Sequence, residues 1–100
     1  MRGEMKNEGD VKSAVKDILN GLGIWWYMPV QTGYGVKGIP DFVCCANGKF
    51  VGIETKFKKN GLSKWQEIQI QRIKDSKGAV FVINENNLTY LQEILEDIMR

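Results

Sequence analysis

"GIPDFVCCANGKFVGIETK", residues 38–56, places the dipeptide Asn47-Gly48 between two runs of mainly apolar residues. Both central positions of a type I′ turn need positive φ, and Asn-Gly satisfies this need. Such a dipeptide between two apolar runs is the strongest short-range signal for a β-hairpin. We therefore expect two antiparallel strands here, and the other elements of the fold are predicted around them.

The hairpin carries three charged side chains among its apolar residues. Counting outward from the turn places Asp41 directly opposite Glu54, where facing Cβ atoms are about 4.5–5.5 Å apart and like charges are destabilising. Because side chains alternate along a strand, Lys56 lies on the same face as Glu54. The sequence therefore predicts that the three groups converge at the open end of the hairpin, with Pro40 stiffening the chain before Asp41.

Two neighbouring carboxylates in half-buried surroundings either share a proton or bind a cation. Oxygen ligands suit Mg²⁺, which keeps several waters and takes one or two protein carboxylates. A lysine beside them would repel the cation unless an anion such as phosphate also binds, so the trio suggests metal-assisted phosphodiester hydrolysis. The alternative is a solvent-exposed face on which Lys56 neutralises one acid, but Val43 and Gly52 share that face and do not make a solvated stripe.

Two further polar residues fall on apolar faces of predicted helices. Glu8 lies three positions before Val11 and seven before Val15, so it continues the apolar stripe of the first helix. Alternatively, it is a first-turn acid that complements the helix dipole. Gln66 presents its amide inward from a later helix, either to the acidic pair or to a buried carbonyl. The apolar arc around Gln66 consists of Leu62, Trp65, Ile70 and Ile73.

The remaining elements follow from periodicity and from capping signals. The predicted elements are a helix over about 8–21, a strand within 24–30 that Pro29 ends or confines to an edge, a helix from Ser63 to about Ser76, a strand over 79–83, and a last helix capped by Asn86 or Asn87. The order α-β-β-β-α-β-α predicts an α/β fold in which a mixed sheet is flanked by helices.

Composition limits the possible chemistry. The 100 residues predict a single domain over 1–100, and the net charge of +2 does not by itself indicate nucleic-acid binding. The basic cluster between Lys56 and Lys77 is either a nucleic-acid surface or a solvated helix face. The chain has no histidine, which excludes Ser-His and Cys-His nucleophiles and the usual zinc sites. Its adjacent cysteines, 44 and 45, and the lack of a long apolar run indicate a cytoplasmic protein without a membrane span.

Residues 33–38, "GYGVKG", match the GxGxxG pattern of dinucleotide-binding proteins. That fingerprint must open a helix, whereas Pro40 and an extended strand follow here, so no nucleotide cofactor is expected. We interpret the glycine-rich loop as flexible and close to the acidic pair, although plain turns are a comparable alternative. Its polar side chains would be available to phosphate oxygens; they are Gln31, Thr32, Tyr34 and Lys37.

Pro40-Asp41 followed by Glu54-Thr55-Lys56 matches the PD-(D/E)XK nuclease pattern. With "GIPDF", "FVGIETK" and "GLSKWQ", nearly the whole chain resembles the VRR-NUC family, the virus-type replication-repair nucleases. The resemblance implies a restriction-endonuclease-like core. It also implies a small stand-alone member, similar to phage and bacterial homodimers that act on branched DNA much as Holliday junction resolvases do. A phage-encoded member would act in the host cytoplasm.

The resemblance also implies roles for individual residues. Asp41 and Glu54 would be Mg²⁺ ligands, with Mn²⁺ expected to substitute, and Glu8 would be a helix-borne acid supporting the metal or its water. Lys56 would orient or activate the attacking water and steady the scissile phosphate. Gln66 would be an accessory amide of the active site.

Two other classes of function remain open. One is a DNA-binding or junction-binding module without catalysis, and the other is an interaction subunit in which the acids bind a cation only for stability. A homodimer is favoured separately, because Trp25 and Trp26 are neighbours on one strand. Such a pair must bury aromatic surface on both faces of a small sheet or at an interface.

Overall fold

The computed structural model describes residues 3–31 and 33–100. Its seven elements occur in the predicted order α-β-β-β-α-β-α, with three helices and a four-stranded sheet. The elements are α1 (Glu8–Gly21), β1 (Trp25–Tyr27), β2 (Phe42–Ala46), β3 (Lys49–Thr55), α2 (Lys64–Asp75), β4 (Ala79–Ile83) and α3 (Leu88–Met99).

The sheet is mixed, as predicted, with the strand order β1-β2-β3-β4. β1 pairs antiparallel with β2, and β2 pairs antiparallel with β3. β4 follows β3 through the α2 crossover and pairs with it in parallel. Asn47 and Gly48 have φ values of 53° and 78°, which confirms the predicted positive-φ turn between β2 and β3.

One face of the sheet carries the core. α1 contributes Val11, Val15 and Leu19 to it, and α3 contributes Leu91 and Leu95. The strands contribute every second side chain, because residues on a strand alternate between faces. The strand residues of this apolar core are Phe42, Cys44, Ala46, Val51, Ile53 and Ile83. This confirms the predicted amphipathic helices at the two ends of the sequence.

The opposite face is covered only in part. α2 lies on this side, and within this fully described helix no residue is buried. On the edge strand β1, Trp25 is 61% exposed and Tyr27 48% exposed, and their ring centroids lie 5.6 Å apart. Trp26 points the other way and packs against Phe42. Within the single chain, the Trp25–Trp26 pair therefore buries aromatic surface mainly on the core face, and burial of the other face at an interface stays a prediction.

The first strand is shorter than the predicted stretch 24–30. Pairing ends at Tyr27, which faces Val43 near the start of β2. Only Phe42 of β2 lies beyond Val43, so at most one further residue of the first strand could pair, and the strand stops before Pro29. Across the described ranges, no helix combines the length and the apolar character that a membrane span requires.

Candidate active site at the open end of the hairpin

Asp41 and Glu54 lie together where the β2–β3 hairpin opens. Phe42 pairs with Ile53, so the next residues outward are Asp41 and Glu54, as the turn predicted. The Asp41 carboxylate reaches across the hairpin, where its Oδ2 accepts hydrogen bonds from Thr55 N at 2.9 Å and Thr55 Oγ1 at 2.7 Å. These contacts hold Asp41 against the end of β3.

The backbone before Asp41 is fixed by a close approach of Pro40 to Gly52. Pro40 is fully buried, and a Cβ placed on Gly52 would lie 2.9 Å from Pro40 Cγ. A side chain at position 52 would therefore collide with the proline ring. The glycine in β3 thus creates the space that lets Pro40 direct the chain into Asp41.

Glu54 is a buried carboxyl group, with 2% of the residue exposed. Its Oε1 accepts a hydrogen bond from Gln66 Nε2 at 3.0 Å, while its Oε2 is buried with no hydrogen-bond partner among the described residues. The pKa of Glu54 is raised from 4.5 to about 8, mainly by burial and in part by the nearby Asp41 carboxylate, while Lys56 partly opposes the shift. The group therefore favours a bound proton unless a cation offsets its charge.

Lys56 and Gln66 are joined by a hydrogen bond. Lys56 Nζ donates to Gln66 Oε1 at 2.9 Å, so one amide contacts both Lys56 and Glu54. Gln66 is held there by the first turn of α2, where Ser63 and Gln66 form a capping box. The predicted inward amide is confirmed, and its partners are the charged residues of the site and the Ser63 backbone N–H.

Glu8 occupies the first position of α1. Its Oε2 accepts from Lys12 Nζ at 2.5 Å, and its side chain is 39% exposed. It lies near enough to raise the pKa of Glu54 slightly. Both interpretations of Glu8 therefore apply: it is an acid in the first turn of α1, and it also lies on the side of the helix that faces the hairpin.

Lys12 is a residue of this site that the sequence analysis missed. Its Nζ lies 3.9 Å from Asp41 Oδ2 in addition to its contact with Glu8. The available signal was the spacing of Glu8 and Lys12, because acid and base four residues apart on a helix are neighbours. That spacing does not reveal that the first turn of α1 lies beside the hairpin.

The carboxylates of the site are candidate ligands for a metal ion. Within residues 3–31 and 33–100, no three side chains of His, Cys, Asp or Glu are grouped closely enough to hold a metal together. The structure thus brings Asp41 and Glu54 together but does not gather Glu8 with them into a three-ligand set. Two carboxylates are sufficient for Mg²⁺, which retains several waters. The unpartnered, buried Glu54 Oε2 fits such a cation.

The cysteines take no part in the site. Cys44 is buried and Cys45 is exposed, as their predicted positions on opposite faces require. Burial raises the pKa of the Cys44 thiol to about 12, so the thiolate needed for nucleophilic attack does not form at neutral pH.

The glycine-rich loop contacts the start of α2. Gly38, at φ 82°, lies so close that a Cβ there would be 2.3 Å from the carbonyl atoms of Trp65. Lys37 Nζ lies 5.5 Å from the Trp65 ring centroid. Trp65 itself is 52% exposed, so its predicted place in the inward arc is wrong: its backbone packs against the loop and its ring faces outward. Thr32, predicted as a phosphate-contacting residue, lies outside the described residues.

A groove of about 500 Å³ runs between this loop and α2. It is lined by Val36, Ile39, Phe50, Gln69, Arg72, Ile73, Ser76 and Gly78, and none of the five predicted site residues is among them. The acidic pair therefore lies outside this groove.

No protein-family model matches the chain, and a search of curated proteins found no match. The functional proposal therefore depends on the side-chain contacts described above.

Proposed function

We propose that this protein is a Mg²⁺-dependent DNA endonuclease of the PD-(D/E)XK type and a small stand-alone member of the VRR-NUC family. The supporting observation is the contact chain at the hairpin end, in which Gln66 links Lys56 to Glu54 and Asp41 lies across from Glu54. Two acids and one lysine in this arrangement suit a metal ion and a phosphate bound side by side.

Each residue has a distinct role in this proposal. Asp41 and Glu54 would hold the cation, which neutralises charge on the phosphate and lowers the pKa of a bound water. Lys56 would supply a point charge and hydrogen-bond donors to the scissile phosphate, where developing negative charge needs stabilisation. Gln66 would hold the side chains of Lys56 and Glu54 in position relative to each other. Glu8 would support the metal or its water from α1.

Basic and aromatic side chains around the site support DNA as the substrate. Residues 58, 59 and 64, which are all lysines, are exposed between the end of β3 and the start of α2. The exposed ring of Trp65, with Lys37 over it, follows directly. Cations contact phosphates, and exposed aromatic rings stack on unpaired bases. We therefore propose branched DNA, which offers unpaired bases, as the preferred substrate.

We further propose that the protein acts as a homodimer in the cytoplasm. The exposed Trp25 and Tyr27 of the edge strand form an aromatic surface that a second copy would bury. A twofold dimer would present two sites to the two strands of a junction. Native mass measurement tests this part of the proposal independently of cleavage.

The experiment is a cleavage assay with and without Mg²⁺ on duplex, flap, splayed-arm and four-way DNA, comparing the protein with Asp41→Asn. Asparagine retains an oxygen for Thr55 but loses the charge, so cleavage should fall at least about 100-fold while DNA binding remains. Asp97→Asn is the matched control. It lies beside Ile98, whose carbonyl contacts the turn residue Asn47 at the far end of the hairpin.

The alternatives give different results. A non-catalytic DNA-binding module would bind DNA without cutting it in Mg²⁺ or Mn²⁺. An interaction subunit that uses the acids for stability would show a Mg²⁺-dependent rise in Tm without nicking. Cleavage by Asp41→Asn at the rate of the unmodified protein would contradict the proposed metal site.

A further inference from the structure

Lys12 is held between two acids of the site. It lies one turn after Glu8 on α1, and its Nζ is 2.5 Å from Glu8 Oε2 and 3.9 Å from Asp41 Oδ2. Only 26% of its side chain is exposed, so the ammonium is not a freely solvated surface charge. Its position gives it an electrostatic role toward Asp41.

The two lysines of the site are held in different ways. Lys56 donates to the neutral amide of Gln66. The ammonium of Lys12 contacts two carboxylates, those of Glu8 and of Asp41, the proposed metal ligand. Lys56 can therefore remain in place beside a bound metal, whereas Lys12 competes with the metal for the same carboxylate.

The competition follows from Coulomb's law. A divalent cation bound to Asp41 would stand within a few ångströms of the Lys12 ammonium in its present position, and like charges at such distances repel strongly in a partly buried site. The lysine stem is flexible, so the ammonium can move toward solvent along α1. Metal binding then requires the Lys12–Asp41 contact to break.

We propose that Lys12 is an internal counter-ion of Glu8 and Asp41, and that a divalent cation displaces it on binding. The inference rests on the proposed function, because it takes Asp41 as a metal ligand. Lys12 neutralises the acids before the metal arrives and raises the metal concentration that the site needs.

The test is calorimetric titration of the purified protein with Mg²⁺, using Lys12→Gln, Lys12→Arg and the control Lys16→Gln. Lys16 lies one turn further along α1, and its replacement changes the net charge equally. Lys12→Gln should tighten Mg²⁺ binding roughly tenfold, which corresponds to about 1.4 kcal/mol. Lys16→Gln should change it less than about twofold, as expected for a screened surface charge. Lys12→Arg, which keeps the charge, should bind no tighter than the unmodified protein.

A second measurement needs no substitution. Acylation of lysines in the unmodified protein, read residue by residue by mass spectrometry, should label Lys12 faster relative to Lys16 when Mg²⁺ is added. Equal Mg²⁺ affinity of Lys12→Gln and Lys16→Gln, or labelling of Lys12 that Mg²⁺ leaves unchanged, would overturn this inference while the metal site stands. Failure of every variant to bind Mg²⁺ would overturn the metal site and this inference with it.

Discussion

Gln66 and Glu54 are joined by a 3.0 Å hydrogen bond from the amide Nε2 to the carboxyl Oε1. This contact connects the first turn of α2 to the end of β3. The Oε1 atom of the same amide accepts from Lys56 Nζ and from the backbone N–H of Ser63. One side chain thus caps a helix and aligns the two charged residues of the proposed active site.

Replacing Gln66 should separate its role in capping α2 from its role in aligning Lys56 and Glu54. Gln66→Leu removes the hydrogen bond to Glu54 and the acceptor for Lys56, so cleavage should fall roughly 10- to 100-fold. The free energy of unfolding should fall by about 1–3 kcal/mol, because buried polar groups lose their partners. Gln66→Glu keeps the helix cap and the acceptor but has no donor for Glu54. It should therefore cut as poorly as Gln66→Leu while its cap is retained, and full activity in Gln66→Glu would show that the amide donor is not needed.

The pKa of Glu54 predicts how stability depends on pH. The folded protein holds the Glu54 proton up to about pH 8, whereas the ordinary pKa is 4.5, so the folded state binds the proton more tightly. The contribution of protonated Glu54 to the free energy of unfolding is fully present below pH 4.5 and is lost as pH rises toward 8. In metal-free buffer, Glu54→Gln should therefore gain stability relative to the unmodified protein as pH rises through this window.

Chemical denaturation of both proteins at several pH values measures the difference. Glu93→Gln, an exposed change on α3, controls for the loss of one charge. A constant difference between Glu54→Gln and the unmodified protein from pH 4.5 to 8 would contradict the raised pKa. Added Mg²⁺ should restore stability to the unmodified protein at pH 8 but not to Glu54→Gln.

Gly52→Ala should damage the site from a position that bears no functional group. The added Cβ would meet Pro40 Cγ at 2.9 Å, so the proline and the adjoining Asp41 must shift. A displacement of about 1 Å at a reacting group can cost on the order of 100-fold in rate, and the strain should cost about 1–3 kcal/mol of stability. Gly61→Ala, where a Cβ meets nothing within 4 Å, is the control. Cleavage rates and melting temperatures of the two variants measure both effects.

Trp65→Ala should weaken DNA binding more than it affects folding. The ring is 52% exposed, and stacking of one base on an aromatic ring is worth about 1–3 kcal/mol. The Kd for splayed-arm DNA should rise about tenfold, and the Kd for blunt duplex should change less. Tyr90→Ala removes a similarly exposed ring from α3 and should leave both affinities unchanged. Equal losses for the two DNAs would argue against an unpaired base at Trp65.

Local sequence rules predicted the hairpin and the residues attached to it. Asn47-Gly48 fixed the register, and the register brought Asp41 opposite Glu54. Gln66 was predicted from its position on a helix, and the Ser63–Gln66 spacing is itself a capping signal. These predictions succeeded because each depends on residues close together in the chain.

Contacts between distant elements could not be predicted in the same way. Lys12 reaches Asp41 only because α1 packs beside the end of the hairpin, and periodicity shows which face of a helix is buried without showing its neighbours. Trp65 matched an apolar arc but faces outward, because α2 covers only part of its side of the sheet. The strand at 24–30 was predicted too long because its partner, β2, extends only one residue, Phe42, beyond the Tyr27–Val43 pair.

Four of the proposed active-site residues lie in one continuous segment, residues 40–66, folded back by a two-residue turn. Closing a short loop costs less chain entropy than joining remote segments. The antiparallel pairing that brings Asp41 to Glu54 is local, whereas the parallel pairing of β3 with β4 must wait for the α2 crossover. The reactive geometry can thus form early in folding, before the sheet is complete.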